Sequence, residues 1–282
     1  MMNLFADIQL MFSHSFMVRA VVVGLLVSLC AALLGVNLVL KRYAMIGTGL
    51  SHVGFAAMVI AGLIDFVPVN DLALTLVVVV IAAVLLLRLN ESNKINGDSA
   101  VALISTSGLA IGVIVMGLTT GITLHICNIL FGSILAMTVF DVQLSVVLSI
   151  VVIVLFVLYY KQLFAVTYDE NFAKATGTKV EVYKLLLSLL TAVTVVLGMR
   201  MMGALLITSL TLFPALSAMR LCKRFLSVVI TSAIIGVSCF FVGMIASFLL
   251  NLPPGACIVG VNLIVFMAFS AVSFIKRGGA KV

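Results

Sequence analysis

Apolar runs long enough to cross a bilayer follow one another from about residue 17 to residue 275, and no other feature limits the fold so sharply. A spanning helix needs about 20 mostly apolar residues. Broken at its polar interruptions, the chain gives segments near 17–40, 44–64, 72–89, 99–122, 140–160, 183–199, 203–219, 226–250 and 256–275. Charged residues make up 9% of the chain and hydrophobic ones 64%, whereas roughly a quarter of a soluble domain is charged. The expectation is an all-α protein, a polytopic transmembrane helical bundle of eight or nine spans forming one domain over residues 1–282. The start, Met1 to Ser15, is short, mixed and acidic without a small-residue cleavage site, so no cleavable secretory signal is expected. Cys30, Cys127, Cys222, Cys239 and Cys257 show no CxxC spacing. They therefore suggest neither a zinc knuckle nor a disulfide framework, and read as small apolar packers.

The net charge of +7 would suit nucleic acid if it were clustered without order, but its distribution points elsewhere. Every Lys and Arg except Arg19 and Arg200 falls in one of five breaks. These are Lys41-Arg42; Arg88 with Lys94; Lys161, Lys174, Lys179 and Lys184; Arg220, Lys223 and Arg224; and Lys276, Arg277 and Lys281. The intervening breaks at 65–71, 123–139 and 251–255 hold none. Such alternation is the positive-inside pattern and puts the basic breaks and the C-terminus in the cytoplasm. The charge reports topology, and no nucleic-acid partner is implied.

Two places leave the span count open. Segments 183–199 and 203–219 are short, so 200–220 is either a full span or a re-entrant half-helix, which is tolerated where protein or water covers it. With nine spans the N-terminus faces outward, and residues 1–16 read as a short interfacial helix as an alternative. Gly108/Gly112 and Gly117/Gly121 form two GxxxG steps in one segment. They permit close backbone approach, either within the bundle or at a self-association face.

Residues 47–52, Gly-Thr-Gly-Leu-Ser-His, carry the main functional signal. His52 lies inside an apolar segment, whereas His14 and His125 sit near segment ends. An ionisable imidazole is costly in hydrocarbon and is a functional candidate by default. Thr48, four residues earlier, shares its helix face. Met199, Met201 and Met202 suggest thioether ligation of copper or, more simply, flexible core filling. Asp65, Asp71, Asp141 and His125 fall in outward breaks without Lys or Arg. They read as solvated loop residues, or as a mouth that concentrates cations. His125 and Cys127 are a thin pair of soft ligands.

The longest basic break, 161–184, is polar enough to leave the membrane and to form one short helix. Asp169 and Glu170 suit its first turn, Phe172 and Ala173 its greasy side, and Gly177 its end. The readings are a docking helix at the cytoplasmic face or a bare connector. Several chemistries have no machinery here. There is no G-x-x-x-x-G-K-[ST], no H-E-x-x-H, no G-x-S-x-G and no intramembrane carboxylate pair. Glu is missing from every span, and proton-coupled carriers usually place ionisable groups there. The chain is expected not to be an enzyme, with energy supplied by another subunit and no cofactor of its own.

From about residue 15 to 275 the chain resembles the membrane permease of zinc/manganese ABC importers. The likeness is carried by Leu38 to His52, by Asp98-Ser-Ala-Val-Ala, by Leu130-Phe-Gly-Ser-Ile-Leu, by Tyr168 to Gly177, by Gly203 to Ala215, and by Leu252-Pro-Pro-Gly-Ala256. The resemblance implies a second copy of this chain, a cytoplasmic ABC ATPase dimer and an extracytoplasmic metal-binding protein. It also implies a multi-pass position in a prokaryotic cell membrane. It makes a helix at about 168–178 the coupling helix, with Asp169, Glu170, Phe172, Ala173 and Gly177 its residues.

The family's opening motif reads G-D-x-L-[SA]-H, with Asp and His lining the ion path. A carboxylate and an imidazole together suit a divalent transition metal. His52 matches the family histidine, and Thr48 stands where the aspartate belongs, a neutral and weak ligand. Three readings compete: a ligand from elsewhere such as the dimer mate, impaired passage, or a different substrate. The implied function is import of zinc first and manganese second by alternating access. The alternatives are an iron-chelate ABC permease and a non-conducting membrane scaffold.

Overall fold

The computed structural model describes residues 15–63, 71–91, 97–118, 139–250 and 252–278. Among these residues every regular element is an α-helix, as expected. They are α1 (Ser15–Leu40), α2 (Ile46–Leu63), α3 (Asp71–Glu91), α4 (Gly97–Gly117), α5 (Val139–Leu158) and two short helices, α6 (Tyr160–Tyr168) and α7 (Glu170–Ala175). Then come α8 (Val180–Met202), α9 (Ala204–Leu221), α10 (Phe225–Leu250) and α11 (Pro254–Gly278). Among the described residues, 8 helices are long and apolar enough to cross a membrane. The remaining apolar helix is α2, whose stretch Ile46–Gly62 is shorter. At 1.5 Å per residue it reaches roughly 26 Å, under the ~30 Å hydrocarbon core.

The chain is thus a multi-pass helical membrane protein organised around α1. In its best spanning window 78% of α1 is buried, against 28% for α3, α4 and α5 and 17% for α11. It packs against α5, α8, α9 and α10. On one flank α2 lies against α3 and α4; on the other α11 closes over α9 and α10.

Small residues make this packing possible, because lipid supplies no hydrophobic drive between helices and close contact must do so instead. A Cβ on Gly35 of α1 would run into the backbone carbonyl of Thr211 in α9. One on Gly236 of α10 would lie 2.8 Å from Cβ of Ala32. Beside that contact, Ser232 Oγ donates to the Ala32 carbonyl at 3.0 Å. A hydroxyl in hydrocarbon is satisfied there by a neighbouring backbone.

Segments 183–199 and 203–219 are two separate helices, each long and apolar enough to cross a membrane. Only Gly203 separates them, with φ +86, a conformation that disfavours side chains. A Cβ on Gly198 would enter the side chain of Ile207, so α8 and α9 fold back on each other about Gly203. Ile81, Ile114, Val157, Ile264 and Phe274 are exposed on the outer helices. In a membrane protein that is the surface left for lipid or another subunit.

The α1–α9 contact can be tested directly. Gly35→Ala should destabilise the protein by about 2 kcal/mol through overpacking. Gly62→Ala, whose Cβ would meet nothing within 4 Å, should not. Thermal midpoints in detergent, followed by size-exclusion chromatography, compare the two.

Candidate functional site

The corner that launches α2 is tightly made. At the end of α1 the Tyr43 N–H bonds the Leu38 carbonyl at 2.8 Å and the Arg42 N–H bonds that of Val39 at 3.1 Å. This is a Schellman closure, in which Arg42 takes the left-handed position at φ 60 usually given to glycine. The Ile46 N–H bonds the Tyr43 carbonyl at 3.1 Å, and α2 begins at once. Thr48 and His52 follow one turn apart, both half-buried.

His52 is held from the neighbouring helix. Its Nδ1 lies 2.7 Å from Oγ of Ser105 on α4. When Nδ1 carries the proton and donates to Ser105, Nε2 presents a lone pair, the form needed for a metal. Sequence reasoning passed over Ser105, because a serine in a Ser-Thr-Ser run of a spanning segment carries no signal until α4 is placed against α2.

What places it there is the first GxxxG pair. A Cβ on Gly108 would stand 3.0 Å from the Val53 nitrogen, and one on Gly112 would stand 2.6 Å from the Phe55 ring. That stripe therefore packs within the bundle against the helix of His52, and not at a self-association face. Gly121 of the second pair lies outside the described residues. Small residues also clear the other side of α2, where a Cβ on Gly54 would be 2.7 Å from Met199 Cε. Met199 and Met202 are buried and fill the core.

The donors gathered here, Thr48, His52 and Ser105, are neutral. Among the described residues no group of three or more His, Cys, Asp or Glu could hold a metal ion. A nearby groove of about 460 Å³ between α2, α3 and α4 offers only Ser107 among apolar walls such as Val53, Leu74 and Ile111, so it is no ion site. His14, Asp65, His125, Cys127 and the 130–135 motif lie outside the described residues, and Asp71 opens α3.

Asp141 corrects an expectation. It is not a solvated mouth residue: its side chain is 7% exposed, and Oδ2 lies 3.3 Å from Nη2 of Arg200. Arg200 was one of the two cations outside the basic breaks, and that isolation was the available clue. Burial is possible because the opposite charge is adjacent.

The second candidate region differs from the expected single helix. Asp169 is extended (φ −148, ψ 105) and divides α6 from α7. Its Oδ1 accepts from the Asn171 N–H at 2.9 Å and the Phe172 N–H at 3.0 Å, so it is the N-cap of α7. The far end closes with Thr178 N–H to the Ala173 carbonyl at 2.9 Å and Gly177 N–H to that of Lys174 at 3.0 Å. Gly177 supplies the positive φ, +81. Phe172 and Ala173 do not share a face as expected. Ala173 is buried with Val166 and Val180, while Phe172 is 63% exposed and Tyr168 81%.

Glu170 is turned inward, with Oε1 at 3.0 Å from Lys41 Nζ and Oε2 at 2.5 Å from Lys184 Nζ. Burial pushes its carboxyl pKa up, but Lys184 and Lys41 outweigh burial and hold it below the usual glutamate value.

A model of the ABC 3 transport family matches residues 13–273, and the chain belongs to that family. It is 26% identical to the manganese import system permease protein ScaB of Streptococcus gordonii over 263 residues, 92% of each chain. It is 29% identical to the high-affinity zinc uptake system membrane protein ZnuB of Haemophilus influenzae over 248 residues, 88% of this chain and 94% of that one. The fold is that of PsaBC from Streptococcus pneumoniae, solved in complex with Fab, at TM-score 0.82, 24% identity and 94% coverage of both chains. ScaB is named a permease protein and ZnuB a membrane protein of an uptake system, and the present chain, as a member of this transport family, is a transport subunit rather than an enzyme.

The buried pair provides a test. Arg200→Met should destabilise the protein by about 2 kcal/mol, because Asp141 stays buried with its cation removed. Arg200→Met with Asp141→Asn should recover part of that loss. Thermal midpoints of the two variants decide it.

Proposed function

We propose that this chain is the permease subunit of an ATP-driven importer of a divalent transition metal ion, zinc or manganese, working as a homodimer by alternating access. The observation that carries the reading is His52, fixed by Ser105 at the point where the family places its ion path. ScaB and ZnuB, named for manganese and zinc, are similar along nearly the whole chain and support that substrate class.

One protomer offers the ion a neutral imidazole and hydroxyls, too little for a dication on its own. A second copy would bring a second His52 to the same path, and two imidazoles favour zinc or manganese over calcium or magnesium. Thr48 in place of the family aspartate removes an anion from each half. The ion is therefore held more weakly, and release is easier.

In this reading the basic breaks and the C-terminus lie in the cytoplasm, with α7 the coupling helix. Its exposed Phe172 is the anchor offered to an ABC ATPase, and an extracytoplasmic metal-binding protein delivers the ion from the other side.

Uptake of radioactive manganese or zinc by vesicles carrying the whole complex tests the path. His52→Ala should abolish uptake. Ser105→Ala should raise the metal concentration for half-maximal uptake roughly tenfold, and Ser105→Thr should stay near wild type. Thr48→Asp should change the rate or the zinc-to-manganese ratio. Unchanged uptake in His52→Ala would remove His52 from the path. Docking is tested separately: Phe172→Ala should lose most of the ATPase on co-purification, since truncating a buried aromatic anchor costs 2 kcal/mol or more, roughly thirtyfold in affinity. Full retention would make α7 a connector.

A further inference from the structure

We propose that Glu170 forms, with Lys41 and Lys184, an ionic clasp that carries movement of α7 directly to the helix bearing Thr48 and His52. The proposal rests on α7 being the ATPase-docking helix and gives that helix its mechanical link to the ion path. Glu170 is the single acid of α7. It does not face outward with Phe172 but divides its oxygens between two lysines from different parts of the chain. The lysine side chains are 6% and 14% exposed and the glutamate 38%. Exposed ion pairs are weak. Here, however, both lysine ammonium groups are largely withdrawn from water, where a charge-assisted contact to a carboxylate is stronger than at an open surface. The three groups therefore move together.

Lys41 is the first residue past α1, and the backbone bonds of Arg42, Tyr43 and Ile46 leave no slack before α2. Thr48 stands in the first turn of that helix and His52 one turn later. A second attachment lies on the same face of α1, one turn before Lys41, where Thr167 Oγ1 of α6 donates to Asn37 Oδ1 at 3.2 Å. Lys184 ties α7 also to the start of α8, the helix whose Met199 fills the space beside Gly54 of α2. A shift of α7 thus pulls the closed turn that launches α2 through Lys41, and α8 near its start through Lys184. Two-state coupling of this kind needs a packed, bonded path between the sites, and this one is continuous.

The test uses the full complex, with its ATPase and binding protein, in vesicles of phosphatidylethanolamine and phosphatidylglycerol. Mn²⁺ and Zn²⁺ are supplied in turn, and metal uptake and ATP hydrolysis are measured together. Lys41→Gln and Lys184→Gln should each lower metal taken up per ATP hydrolysed by at least about fivefold. The ATPase should remain bound and active in both. Adding Lys41→Gln to Glu170→Gln should cost no more uptake per ATP than Glu170→Gln alone, since loss of the carboxylate already removes both lysine contacts.

Wild-type uptake per ATP in both lysine variants overturns the clasp, as does a fully additive double variant. Loss of the ATPase from Lys41→Gln overturns it as well, because the lysine would then serve the docking surface. If one lysine variant fails to assemble, the other carries the measurement. Failure of the docking reading shows instead in Phe172→Ala, where the ATPase stays bound while α7 keeps its clasp.

Discussion

A bilayer interior offers neither water nor hydrophobic drive between helices, so everything in this protein depends on how closely helix backbones can approach. Gly35 against the Thr211 carbonyl and Gly236 against Ala32 seat α1 among its neighbours. Gly108 and Gly112 do the same for α4 on α2. These contacts are short enough for dispersion and for side-chain hydroxyls to reach neighbouring carbonyls, as Ser232 does. The arrangement at His52 is a by-product of the same contacts: Ser105 meets His52 because two glycines, one and two turns further on, remove the side chains that would hold α4 away.

The charged groups follow a second rule, that a buried charge persists only beside its opposite. Asp141 with Arg200 obeys it at the first turn of α5 and the last turn of α8, and Glu170 with Lys41 and Lys184 obeys it at the other end of α8. The region between these two ends holds His52 and hydroxyls. In the proposed reading, a path lined by these neutral donors binds a dication loosely, which suits a transporter that must release its cargo.

Much of this was legible in the residues. Run length and the alternation of basic breaks gave the helical membrane architecture, because hydropathy and charge act locally and each segment answers to the bilayer by itself. The motif from Leu38 to His52 and the stretch from Tyr168 to Gly177 gave the family and the two regions of interest. Asp169 as a cap and Gly177 as a terminator were readable because capping is a matter of adjacent residues. The division at Asp169, which turned one expected helix into α6 and α7, was less so, since either conformation satisfies the local sequence.

Sequence alone therefore determined the class, the apolar helices, and the presence of an ionisable group in an apolar segment. Only the tertiary structure decided what that group touches. Ser105 is 53 residues from His52 and Glu170 is 129 from Lys41, and Asp141 looked like a loop residue until Arg200 was brought to it. Partners so far apart are chosen by which helix faces pack, and that choice rests on the shapes of glycines, methionines and alanines that carry no chemical signal of their own.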